Sequence, residues 1–308
     1  MAKIKKSSAL SEMSGAYAAM FTPLDKKGRI NEDAISQIIE YGISNGLKGF
    51  YLTGSTGAWF LLSPEERVQV WNAAFKAAKG RCKLIAHVGD TSTDVSVQLA
   101  KSAADAGMDW ISSVAPPLFR NNFAGAYFHY SKVSSATDLP FMAYSIGSDL
   151  VPERDIRFFE LKNVKGMKYT GTTFYDIQRL NNRLDKEVVF FSGSDQHAIA
   201  ALSFGNLFAG SIGTVQNIIP AHFVKIHNLM LQNNFQAAAE LQAEANRVVE
   251  FVCHTFHKQS LRKAAMRYIG LDCGQFRPPH EAYTEDDYVD FCAKADALGI
   301  FKRNQGIL

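Results

Sequence analysis

The segment Val164-Lys165-Gly166-Met167-Lys168-Tyr169-Thr170 holds the residue with the most chemical reach. Period-two alternation puts Val164, Gly166, Lys168 and Thr170 on one face and Met167 and Tyr169 on the other. A lysine on an inward face is partly desolvated, which lowers its pKa and frees its amine as a nucleophile. The same lysine serves equally as an ion-paired cation or as one that snorkels to solvent. In Pro140–Ile146, Met142, Tyr144 and Ile146 share a face. A phenol beside an imine-forming amine can move a proton, whereas an aromatic at that position can also simply fill a core. Gly54-Ser55-Thr56-Gly57 offers turned backbone N–H groups and two hydroxyls, a cradle for a carboxylate or phosphate; it also reads as an ordinary Gly-Ser turn. Asp195, in Ser192-Gly193-Ser194-Asp195-Gln196, suits either a helix cap or the hydroxyls of a polyol.

The chain that must position these groups has 308 residues, 47% hydrophobic and 20% charged. That composition excludes a disordered, collagen-like or coiled-coil protein. Thirty-three basic against thirty acidic residues leave a net charge of +3. The one dense basic stretch, Lys3, Lys5 and Lys6, reads as a frayed terminus. No basic stripe with interleaved aromatics marks a nucleic-acid binder. An apolar leader and a run of about 20 apolar residues are both missing, so neither a secretory signal nor a membrane span is expected. The cysteines, at 82, 253, 273 and 292, are isolated, which favours reduced, buried thiols in a cytoplasmic protein. His254 and His257 lack an evident third ligand, so no metal site is expected.

Short β-branched or aromatic runs alternate with segments of helical spacing, the pattern of a parallel sheet with crossover helices. The pairs are Ala16–Leu24 with Asn31–Asn45; Gly49–Gly54 with a helix opened by Ser63-Pro64-Glu65-Glu66; Lys83–Asp90 with Thr93–Ala106; Trp110–Pro117 with Phe123–Ala136. They continue as Pro140–Ile146 with Pro152–Leu161; Val164–Thr170 with Thr173–Leu184; Val188–Ser194 with Gln196–Phe204; and Ala209–Thr214 with Pro220–Gln232. Ser63, Pro64 and Glu66 spell a capping box with proline at the first helical position. Eight pairs predict a (β/α)8 TIM barrel. An open doubly wound sheet is disfavoured, because Asp25-Lys26-Lys27-Gly28 after the first strand is no dinucleotide loop. Phe235–Phe256, Gln259–Ile269 and Glu285–Leu298 read as further amphipathic helices. The expected division is a barrel over 1–234 and a C-terminal helical extension over 235–308. In such barrels chemistry sits at the C-terminal strand ends, where Ser55, Thr56, Lys168 and Asp195 fall.

Gly54-Ser55-Thr56-Gly57, Tyr144 and Gly166-Met167-Lys168, in that order and on those strands, resemble the pyruvate-dependent Schiff-base aldolases. That family includes N-acetylneuraminate lyase and dihydrodipicolinate synthase. The likeness extends from about Gly15 into the C-terminal helices. It implies a homotetrameric barrel in which Lys168 forms an imine with pyruvate, Ser55 and Thr56 hold the carboxylate, and Tyr144 relays the proton. No metal or organic cofactor is implied, because the protonated imine is the electron sink. The residues after Tyr144, Ser145-Ile146-Gly147-Ser148-Asp149, lack the arginine of the synthase. Tyr175 lies seven residues beyond Lys168, as a substrate-contacting tyrosine does in the lyase. Gly193, Asp195 and Thr214 match lyase positions that contact the sugar tail, and Phe60–Arg67 is also lyase-like. The chain departs from the pattern at Ala58, where the family has glutamate, and at Ser145 and Gly147. It departs again at Gln196, where the lyase has a tail-binding glutamate, and at Leu118 and Phe119, a region where the family often has tyrosine.

The expectation is therefore a lyase that cleaves an N-acetylneuraminate-like 2-keto-3-deoxy sugar acid to pyruvate and an aldehyde sugar. Its partners are small keto acids and sugars, not nucleic acid or membrane. The alternatives are a synthase-like or other pyruvate aldolase with a different aldehyde, and a catalytically weakened keto-acid-binding homologue.

Overall fold

The computed structural model describes residues 8–117, 122–146, 150–205 and 207–299. Eight parallel strands close into a barrel in sequence order: β1 (Gly15–Ala19), β2 (Gly49–Leu52), β3 (Lys83–His87), β4 (Trp110–Val114), β5 (Phe141–Ile146), β6 (Val164–Thr170), β7 (Val189–Ser192) and β8 (Phe208–Gly213). The ring closes where Gly15 to Ala18 run beside Gly210 to Gly213. A short helix, α1 (Ser8–Met13), precedes β1; the sequence, read as a frayed terminus, did not announce it. Its Leu10 and Met13 pack with the barrel interior, and Glu187 accepts a hydrogen bond from the Leu10 N–H at 3.0 Å. Lys3, Lys5 and Lys6 lie outside the described residues.

The crossover helices are α2 (Glu32–Ser44), α3 (Pro64–Ala78), α4 (Thr93–Asp105), α5 (Phe123–Ser134), α6 (Pro152–Asp155), α7 (Phe174–Asn181), α8 (Ala198–Leu202) and α9 (Pro220–Leu231). Their starts follow from the sequence. Asn31 accepts from the Ala34 N–H at 3.1 Å, and Ser63 with Glu66 forms the expected capping box on α3. Each such cap stabilises its helix by about 1 kcal/mol. After β5 and β7 the helices are shorter than expected. The Pro152–Leu161 segment becomes a 3-10 helix from Ile156 onward, and Asp195–His197 is 3-10 before α8 begins. No helix among the described residues is long and apolar enough to cross a membrane.

Two apolar layers result. Tyr17, Tyr51, Ile85, Met142, Tyr144, Phe191 and Ile212 fill the barrel, while Phe50, Phe141, Met167, Tyr169 and Phe190 face the helices. Val164 corrects the sequence reading. It packs in the outer layer, because the β5–β6 register slips: Phe141 pairs Val164, but Met142 pairs Gly166. One extra residue at Lys165 reverses the alternation below it, so Gly166 and Lys168 keep the inward face without Val164.

Three helices follow the barrel: α10 (Phe235–His254), α11 (Leu261–Tyr268) and α12 (Glu285–Leu298). They are tied to the mouth of the barrel by polar bolts. Lys263 on α11 is fully buried and donates to the carbonyls of Thr22 (2.6 Å), Cys273 (3.2 Å) and Gln275 (3.2 Å). Arg277 pairs with Glu66 at the start of α3 and donates to the Leu61 carbonyl at 2.9 Å. Gln242 on α10 donates to the Asp195 carbonyl at 3.1 Å and accepts from the Ile199 N–H at 3.1 Å.

Candidate active site

Tyr144 on β5 stands directly opposite Lys168 on β6. Lys168 is only 4% exposed. Its ammonium nitrogen lies 4.2 Å from the centre of the Tyr144 ring and 4.4 Å from that of Tyr51. No carboxylate among the described residues pairs with it. Tyr51, within the Gly49–Gly54 run, is a site residue that the sequence did not single out. It meets Tyr144 edge-on, ring centres 5.9 Å apart, and its hydroxyl is spent on Ser112 at 2.9 Å. The Tyr144 phenol therefore remains the one available to the amine.

Burial pushes the Tyr144 phenol up. The Lys168 ammonium and the hydroxyls of Thr170 and Ser55 oppose that, and the net direction is down. A phenol that releases its proton more readily, next to a cation, is suited to shuttling one. Beyond Tyr144 lies His87, fully buried with its ring centre 6.3 Å away. Burial first, then the nearby Arg67 and Lys168 charges, hold this imidazole well below its ordinary range. It stays neutral and accepts from the Val114 N–H at 3.3 Å.

The hydroxyl turn after β2 is strained. Thr53 and Ala58, which bracket it, have φ of 49° and 52°. Positive φ at a β-branched threonine costs about 1–3 kcal/mol and persists only where the surroundings impose it. Here the Trp71 indole donates to the Thr53 hydroxyl at 2.9 Å. The chain then turns back, with the Trp59 N–H on the Gly54 carbonyl at 3.2 Å. Ser55 is thereby aimed at Tyr144. Thr56 reaches across the mouth to Thr214 after β8, hydroxyl to hydroxyl at 2.7 Å.

Gly193 is required by contact. A Cβ there would lie 2.0 Å from the Thr170 hydroxyl and 3.1 Å from Lys168 Cε. Asp195 is 5% exposed and caps no helix with its side chain. Its carboxylate instead accepts from the Val215 N–H at 2.9 Å and from Gln216 at 3.3 Å. Burial raises its pKa, against those hydrogen bonds. It sits over Gly213, where a Cβ would fall 1.7 Å from Oδ1. Asp195 thus locks the strand-eight loop that presents Thr214. Gln216, missed by the sequence, completes the lock through Ser211 at 2.9 Å.

The structure brings together Lys168, Tyr144, Ser55, Thr56, Thr214 and Gly193, with Asp195 behind them. Tyr175 and Gln196 stand apart. Tyr175 is 67% exposed, with the Arg179 guanidinium 6.0 Å from its ring centre, and Gln196 is exposed on its 3-10 turn. Leu118, Phe119, Gly147, Ser148 and Asp149 lie outside the described residues. Among the described residues no cluster of three or more His, Cys, Asp or Glu is placed to hold a metal ion.

The model of the dihydrodipicolinate synthetase family matches residues 12–298. The N-acetylneuraminate lyase of Clostridium perfringens is 30% identical over 279 residues, covering 89% of this chain and 96% of that protein. Among solved structures, a sialic acid aldolase of Ruminococcus gnavus superposes with a TM-score of 0.86 at 25% identity, covering 93% of this chain and 97% of that one. A Clostridium difficile protein solved with mannosamine gives 0.83 at 28% identity, covering 92% and 99%.

Proposed function

Because this chain belongs to the dihydrodipicolinate synthetase family, we propose that it is a lysine Schiff-base lyase that cleaves an N-acetylneuraminate-like 2-keto-3-deoxy sugar acid to pyruvate and an aldehyde sugar. The observation that carries this reading is the buried Lys168 amine set between two phenol rings with no carboxylate partner among the described residues. Its likeness to a lyase along nearly its whole length supports the cleavage direction.

Neutral Lys168 attacks C2 of the open-chain sugar acid, and Tyr144 donates the proton with which water leaves, giving the protonated imine and a phenolate. The substrate carboxylate lies on the Ser55–Thr56 turn, whose preset geometry supplies the orientation. Tyr144 takes the proton of the C4 hydroxyl. The C3–C4 bond breaks, its electron pair moving toward the iminium to leave an enamine, and the aldehyde departs. Protonation at C3 and hydrolysis release pyruvate and the free amine. Thr214 and Gly193 face the hydroxylated tail in this reading, Asp195 positions the loop that presents Thr214, and Tyr175 and Gln196 stand outside that pocket. The catalytic unit is the 1–234 barrel, with 235–308 as its extension. It acts as a homotetramer in the cytoplasm.

The test is borohydride trapping with pyruvate, followed by intact mass and peptide mapping. One reduced pyruvate on the Lys168 peptide is expected. A folded protein that takes no adduct would instead be a keto-acid-binding homologue, and Ala58→Glu is then the first reversion to make. A panel of sugar acids, scored by pyruvate release, separates the lyase from an aldolase with another aldehyde.

A further inference from the structure

Next to the hydroxyl turn lies a cavity of about 170 Å³ whose wall from the C-terminal extension has no part in the reaction above. One wall is Ser55, Thr56 and Thr214; the facing wall comes from the C-terminal extension and carries Gln259, Arg262 and His280. No aspartate or glutamate among the described residues lines it. Arg262 is half-buried at the start of α11. The one hydrogen bond of its guanidinium among the described residues is to the Cys253 carbonyl at 3.3 Å, and no carboxylate there pairs with it. A guanidinium has five donors in a planar fork. Half-burying one beside hydroxyls, without an acid, leaves donors to be met by a ligand.

The wall is held in place. The next residue, Lys263, ties α11 to the Thr22, Cys273 and Gln275 carbonyls. The segment that follows carries Phe276, which stacks obliquely on His280 with ring centres 5.1 Å apart. Arg277 fixes the same segment to the start of α3. The guanidinium is therefore presented by a braced surface rather than by a mobile loop. Ala58, which carries no charge, lines the same cavity.

We propose that Arg262 binds an anionic group at the far end of the substrate, so that the preferred aldehyde partner carries a terminal carboxylate or phosphate as well as the carbonyl that meets the pyruvate enamine. This rests on the Schiff-base reading and narrows its substrate class from neutral-tailed to acid-tailed sugar acids.

Aldol synthesis from pyruvate tests it with three acceptors: glyceraldehyde, glyceraldehyde 3-phosphate and tartronate semialdehyde, which are neutral, phosphorylated and carboxylated. In the wild type, kcat/KM for at least one charged acceptor should exceed that for glyceraldehyde by about 10- to 100-fold, the range of one charge-assisted contact; which one does so identifies the anion. Arg262→Gln should collapse that ratio toward one, mainly through KM of the charged acceptor, and Arg262→Lys should restore part of it. A wild type that handles glyceraldehyde as well as both charged acceptors overturns the proposal. So does an Arg262→Gln enzyme that loses the same factor on all three, which is what a merely structural contact to Cys253 would give. Failure of borohydride trapping in the wild type would strike the Schiff-base reading instead, and is scored separately.

Discussion

Lys168 and Lys263 are both buried lysines, at 4% and 0% exposure, yet they sit in opposite surroundings. Lys263 has three carbonyl acceptors and the ring of Phe276, centred 4.8 Å away. Its ammonium is fully occupied in joining the extension to the barrel, although burial pulls its pKa down to about 8. Lys168 faces two aromatic rings and a hydroxyl turn, with no carboxylate partner among the described residues. Burial alone does not make a lysine a nucleophile; what matters is whether its neighbours consume the donors or leave the nitrogen to a substrate. One lysine holds the mouth in shape and the other works inside it.

The strongest way to break this contrast is to remove each amine. Lys168→Ala should abolish pyruvate release, by at least about 10³-fold in kcat, and eliminate the borohydride adduct while the thermal transition stays near that of the wild type. A normal turnover number would end the comparison. Tyr144→Phe should lower kcat by about 10²- to 10⁴-fold, the range for a lost general acid–base, with far less change in pyruvate KM; a matched rise in KM would make the phenol a binding group. Lys263→Met should do the reverse. It strands three carbonyls and should cost about 2–4 kcal/mol of stability, read from denaturant unfolding, while the folded fraction still forms the pyruvate adduct. Loss of the adduct in folded Lys263→Met would show that the two sites are not separable.

A third buried base sharpens the point through pH. His129 is tied to Thr93 at 3.0 Å and to Ser113 at 2.8 Å, and burial lowers its pKa to about 4 from an ordinary 6.5. The unfolded chain binds the extra proton between those values and the folded one does not. Stability is therefore fully present above pH 6.5 and falls as pH drops toward 4, by about 3 kcal/mol for this group. Urea melts at pH 7 and pH 4.5 measure it, and His129→Asn should flatten the slope.

Much of the frame was legible in the sequence, because helix and strand periods are local. Capped starts at Asn31 and Ser63 and the inward face of Lys168 needed no tertiary knowledge. Val164 shows where that stops: a single inserted residue reverses alternation, and nothing in the local pattern marks it. Lys263, Arg262, Gln242 and Gln216 were invisible for another reason. Each acquires its role from a partner far along the chain, as Lys263 does from Thr22. Thr53 gave no sign either, since its left-handed backbone is imposed by the Trp71 indole and not by its own preference. Asp195 was singled out, but its hydrogen bond from the Val215 N–H was not legible, because that partner lies on the next strand's loop.

The bolts from the extension also order events in time. During synthesis the strands and the Ser55 turn emerge long before Lys263 and Arg277, and chains fold from the N-terminal side as they appear. Until those last helices arrive, the Thr22 and Leu61 carbonyls lack their cations and the mouth lacks its outer wall. The nascent barrel would hold its lysine before it holds a finished pocket, so a newly made chain turns over substrate only once its C-terminal helices have docked.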